Sequence, residues 1–182
     1  MALQFTTSYL EDSVTLFRYY KTLADKAMAQ VSDEQLAAVL DGEMNSIAVV
    51  VKHMAGNMRS RWTDFLTADG EKPDRDRDAE FTTPPATRDA LSAIWEEGWR
   101  ALFGALEPLS EADTSRTVKI RGEDHSVMQA INRQIAHYAY HVGQIVFLAK
   151  HLKASDWRSL SVPRGQSAAF TERVQSGRAS QR

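Results

Sequence analysis

Apolar residues recur at intervals of three and four along four long stretches of the chain, with polar residues between them. From residue 5 to about 30 the series includes Phe5, Tyr9, Leu10, Leu16, Phe17, Tyr20, Leu23 and Ala27, the pattern of an amphipathic helix. Ile47, Val50, Met54, Met58, Trp62 and Phe65 predict a second helix over about 46–67, capped by Asn45 or Ser46. A third, from about Thr87 to Glu107, carries Leu91, Trp95, Trp99, Leu102 and Leu106 and is stopped by Pro108. The fourth, over about 126–153, places Val127, Ile131, Gln134, Tyr138, Ile145, Leu148 and Leu152 on one broad face. Ser32 and Gln35 form a capping-box pair for one short helix at most, broken at Gly42. Val118 and Ile120 alternate with Lys119 and Arg121 ahead of Gly122, which suggests a small hairpin or extended segment.

These elements predict an all-α protein: a four-helix bundle with crossover connections, and a small β-hairpin before the last long helix. The bundle is expected over residues 1–165, followed by a polar C-terminal tail over 166–182, with Trp157, Leu160 and Val162 docking on the helices. Residues 69–86 are charged and carry Gly70, Pro73, Pro84 and Pro85. A solvated crossover is the expectation there, although long connections inside compact domains often carry function. Trp62, Trp95 and Trp99 are expected in the core or at a dimer interface.

Composition narrows the field. The chain of 182 residues has 22 basic and 24 acidic side chains, a net charge of −2, and no cysteine. The charge balance argues against a general electrostatic nucleic-acid binder. Absence of cysteine excludes disulfides, thiolate nucleophiles and Cys-ligated zinc or iron–sulfur clusters. No apolar run is long enough for a membrane-spanning helix, and the N-terminal residues resemble neither a secretory signal nor a transit peptide. A cytoplasmic protein is expected.

Five histidines are present. His137 and His141 stand four apart on the fourth helix, about 400° around its axis and about 6 Å along it, so both rings project from one face. His53 lies among apolar residues of the second helix. Each has a bland alternative: a hydrogen-bonded core histidine for His53, ring stacking for the pair. Facing inward together, they would bring three imidazoles to one divalent ion. Zinc, nickel, copper and iron all suit such a set. His151 lies roughly 21 Å along the helix from His137 and cannot share the site. His125, at the entry to the helix, is a surface residue or cap neighbour first and a substrate contact second. Asn57, one turn after His53, and Gln144, three residues after His141, are candidates for contacts behind the ligands or with substrate. Arg133 is either a surface cation or the partner of a substrate carboxylate. Gly143 would let a neighbouring helix approach closely.

The segments NSIAVVVKHMAGNMRSRWTDF and AINRQIAHYAYHVGQIVFLAKHL resemble the DinB/YfiT-like superfamily of metal-binding four-helix bundles, most of all an uncharacterised subgroup of the DUF1572 type. The H-x-x-x-H-x-G-Q run is the most specific match. The resemblance implies a metal triad of His53, His137 and His141, holding zinc or nickel, or else iron or manganese, and often a homodimer. It further implies a metal-dependent enzyme acting on a small-molecule substrate, either a transferase using a low-molecular-weight thiol or a hydrolase. The alternative is a non-catalytic, stress-associated metal-binding dimer. No partner of nucleic acid or membrane type is expected.

Overall fold

Five helices start at a hydroxyl. Ser8, Ser32, Ser46, Thr87 and Ser126 each accept, through the side chain, the backbone N–H three residues on, which satisfies one of the free donors of a first helical turn. The structure, a computed structural model, describes Leu3 and residues 5–180; the outermost residues of the expected bundle and tail (Met1, Ala2, Gln181, Arg182) and Gln4 lie outside the described residues. The caps open α1 (Tyr9–Met28), α2 (Asp33–Ala37), α3 (Ile47–Trp62), α4 (Arg88–Leu106) and α5 (Val127–Lys153). A two-stranded antiparallel hairpin, β1 (Thr117–Ile120) and β2 (Glu123–Ser126), precedes α5, with Val118 opposite His125. Arg121 and Gly122 turn it, both at positive φ. A last helix, α6 (Ser167–Gln175), buries no residue.

Cross-contacts fix the directions of the four long helices. Tyr9 donates to Asn132 at 2.8 Å, and Gln35 donates to the Leu152 carbonyl at 2.8 Å. Thus α1 runs alongside α5 in the same sense. Lys21 pairs with Glu96 at 2.6 Å, and Arg88 reaches back to the Val31 carbonyl, so α4 opposes α1. Trp62, at the end of α3, donates to Tyr138, while Val50 near its start lies by Leu148. Thus α3 opposes α5, and α3 and α4 point the same way. Only a connection that travels the length of the bundle can join such a pair, and residues 63–87 do so.

The core is one cluster in which Phe17, Trp62, Trp95, Trp99 and Tyr138 are almost fully buried. All three expected tryptophans therefore lie inside the bundle. A polar thread runs through it: Trp62 Nε1 donates to the Tyr138 hydroxyl, which donates to Asn57 Oδ1, each at 3.0 Å. Since Tyr138 follows His137 and Asn57 lies one turn from His53, this thread sets the register of α3 against α5 at the histidines.

Several expectations need correction. The first helix begins at Tyr9, and Phe5 is exposed. The short helix stops at Ala37, well before Gly42. The second long helix ends at Trp62 because Asp64 adopts a left-handed conformation (φ 51°), which Asp tolerates better than most residues. Phe65 remains buried, but from a turn. Gly143 faces open space, and the close helix approach lies elsewhere: a Cβ on Gly98 would stand 3.1 Å from the Ala55 Cα and 3.1 Å from Met58 Cε. Valine at Gly98 is therefore expected to overpack the α3–α4 contact and cost about 1–3 kcal/mol. Urea unfolding checks this; an unchanged midpoint would contradict the packing.

Candidate metal centre

His53 from α3 and His137 and His141 from α5 meet between the helices, with one ring nitrogen from each lying within 4.8 Å of the others. His137 Nε2 stands 3.1 Å from His141 Nε2 and 3.4 Å from His53 Nε2. Three nitrogens bound at the usual zinc distance in a tetrahedral arrangement lie about 3.3 Å apart. The two separations from His137 match that value, and the His53–His141 separation falls within the 4.8 Å bound.

What stands behind two of the rings decides their tautomers. Glu80 Oε2 accepts from His53 Nδ1 at 2.9 Å, and Gln144 Oε1 accepts from His141 Nδ1 at 2.8 Å. A carboxylate or amide oxygen only accepts, so each Nδ1 carries the hydrogen and each Nε2 presents a lone pair toward the other rings. A hydrogen bond from the remote nitrogen is the usual support of a metal-bound histidine. His137 Nδ1 is buried and has no hydrogen-bond partner. If His137 donates from Nε2, its Nδ1 lone pair is orphaned; if it carries hydrogen at Nδ1, three lone pairs converge. The second arrangement is the one that calls for a cation, which would sit where the three lone pairs converge on the Nε2 side. The triad can hold a metal ion.

Burial disfavours the charged form of the two rings on α5. His137 is pushed down to about 3, first by burial and then by the neighbouring His141 and His53 rings and the charges of Arg75 and Arg61. His141 is also lowered, chiefly by burial. Burial pushes the Glu80 carboxyl up, but the hydrogen bonds and charges of His53 and Arg75 outweigh it, and its pKa lies below the ordinary carboxylate value.

Glu80 comes from the long connection expected to be a solvated crossover. A single 3-10 turn, Ala79–Phe81, brings it beneath α3. Arg75, from the same segment, grips both carboxylate oxygens at 2.8 Å, with its side chain only 4% exposed. Phe81 stacks on the His53 ring, with centroids 4.5 Å apart. Gly56 makes room: a Cβ there would collide with the Glu80 carboxylate, its Cδ lying 2.8 Å away. Sequence reasoning missed Glu80, Arg75 and Phe81. One signal was available, since a glycine inside a helix one turn from a candidate ligand marks a close approach.

The other candidates fall as follows. Asn57 is buried in the Tyr138 thread and lines a cavity beside the triad together with Arg133. His125 is half-buried on the hairpin, with Nδ1 3.1 Å from the Glu123 carbonyl oxygen. His151 is exposed in the last turn of α5.

The architecture and the site together define a helical bundle whose long helices converge three histidines on one potential metal position. The chain belongs to the family described as Protein of unknown function (DUF1572), whose model matches residues 4–166. No curated protein matches it significantly. Among the described residues no helix is long and apolar enough to cross a membrane.

Proposed function

We propose that this protein is a metal-dependent enzyme of the DinB-like type, holding one divalent ion, zinc or nickel, on the Nε2 atoms of His53, His137 and His141. The observation that carries this reading is the convergence of three imidazole nitrogens, two of them oriented from behind by Glu80 and Gln144. Neutral ligands leave a bound ion its full charge, and such an ion supplies a Lewis acid able to bring the pKa of a thiol or of water toward neutrality. That chemistry serves thiol-dependent group transfer to a small molecule. Hydrolysis is the less favoured use, because Glu80 is tied to Arg75 and His53 and is not free to act as a base. Glu80 and Gln144 orient two of the imidazoles, burial disfavours charge on His137 and His141, and Phe81 covers one face of His53. The homodimer belongs to the same proposal, supported by Tyr140 and Phe147, which leave α5 63% and 65% exposed.

Protein loaded with zinc or nickel is incubated with low-molecular-weight thiols and small electrophiles, and in parallel with simple esters. Metal-dependent loss of free thiol, abolished by chelator, is the expected result. Release of acid without thiol loss would move the assignment to hydrolysis. No turnover by fully loaded protein would overturn the enzymatic reading and leave a metal-binding protein.

A further inference from the structure

Beside the triad lies a cavity of about 220 Å3 whose walls include His53 and His137. Five arginines line it (Arg61, Arg75, Arg77, Arg121 and Arg133), and no acidic residue does. Arg61, Arg75 and Arg121 each pair with Glu71, and Arg75 pairs also with Glu80. Three guanidinium groups thus share two carboxylates. Among the described residues Arg77 and Arg133 pair with no carboxylate; Arg77 lies over the Phe81 ring at 5.4 Å. The cavity therefore carries an excess of positive charge that the protein does not neutralise, which draws anions to it.

A second observation points the same way. Four buried side-chain nitrogen or oxygen atoms among the described residues have no hydrogen-bond partner, and three belong to residues lining this cavity: Arg61 Nε, Gln134 Oε1 and His137 Nδ1. The Arg61 side chain is only 6% exposed and Gln134 only 3%. Buried polar groups in folded proteins are nearly always partnered. Of the three, Arg61 Nε is a donor of the kind an oxyanion partners, whereas Gln134 Oε1 only accepts and offers an anion no contact.

We propose that this cavity binds the oxyanionic group, carboxylate or phosphate, of a small-molecule ligand. The exposed Arg77, Arg121 and Arg133 and the buried Arg61 supply the donors. Guanidinium forks match the geometry of both groups. The volume falls below the roughly 300–1,000 Å3 of sites for drug-sized molecules, so a small anion, or the charged end of a larger one, enters. The inference deepens the proposed function, since the anion would sit next to the triad, but binding needs no metal and the two readings fail separately.

The test is calorimetric titration of the metal-free full chain with inorganic phosphate and with succinate at constant ionic strength, with sodium chloride as control. Saturable binding of one anion per chain is expected, and the anion that binds more tightly identifies its source. In an Arg77→Gln, Arg133→Gln double variant the affinity should fall roughly tenfold or more, with helix content and zinc uptake unchanged. Arg133→Gln alone, read the same way, covers the case of an unfolded double variant. No saturable binding of either anion, equal binding by chloride, or undiminished affinity in the variants would overturn the proposal.

Discussion

Replacing His137 and His141 together by alanine is expected to reduce divalent metal from about one equivalent per chain to none, with helix content unchanged. Two of the three converging nitrogens sit one turn apart on α5, so the double variant leaves His53 alone, and a single imidazole does not retain the ion. The fold should survive. His137 makes no hydrogen bond through Nδ1, and removing it deletes an orphaned polar atom from the interior. The contrast should be sharpest in thermal unfolding. An ion at about a hundred times its dissociation constant adds about 2.7 kcal/mol to the native state. Zinc or nickel should therefore raise the melting temperature of the natural chain and leave the variant where it was. Mass-spectrometric metal analysis of protein purified without chelator is the direct measurement. Absence of metal from the natural chain even after incubation with zinc and nickel would leave these histidines as core residues.

A comparably large effect is expected at Glu80, which touches no metal position. Alanine there strips His53 Nδ1 of its acceptor and leaves the buried Arg75 with only Glu71, at 3.2 Å. Breaking a buried ion pair from one side costs about 3–5 kcal/mol, and losing the group behind a ligating histidine typically costs 10–100-fold in metal affinity. Glutamine, of nearly the same shape, keeps an acceptor for His53 and should weaken metal binding less. Acid should act in the same direction as alanine. The Glu80 carboxyl has a lowered pKa in the folded protein, so the stability it contributes is present at neutral pH and is lost as pH falls below the ordinary carboxylate range toward that lowered value. Urea unfolding and competitive metal titration of the two variants give the answer, and an alanine variant that binds metal as tightly as the natural chain would contradict the role assigned to Glu80.

Much of this architecture was legible from local chemistry. Serine and threonine caps at Ser32, Ser46 and Thr87 mark helix starts because their hydroxyls meet backbone donors only a few residues away. The His137–His141 spacing likewise follows from helix geometry alone. Where the answer depended on a distant partner, the sequence was mute. Glu80 stands in a run with Asp74, Asp76 and Asp78, all exposed, and nothing local distinguishes the one carboxylate that becomes buried. Its burial follows from the path of residues 63–87, which is set by the shared direction of α3 and α4. The end of α3 shows the converse error. Apolar periodicity continues to Phe65 because that side chain is buried, yet periodicity reports burial and not backbone, and the helix has already ended at Trp62. Gly143 was a candidate for close packing by its neighbours in sequence, whereas Gly56 and Gly98 are the glycines that α3 and α4 present to other segments.

The shared direction of α3 and α4 also ties two tasks to one set of bonds. A crossover of this length carries a closure entropy that must be offset by contacts along its course. Here Arg75, Glu80 and Phe81 anchor it to the bundle, and the same side chains orient and cover His53. Lengthening, shortening or loosening the strap thus changes the angle at which His53 is presented, although His53 itself belongs to α3. The longest irregular segment of the chain is, in mechanical terms, the tensioner of the site.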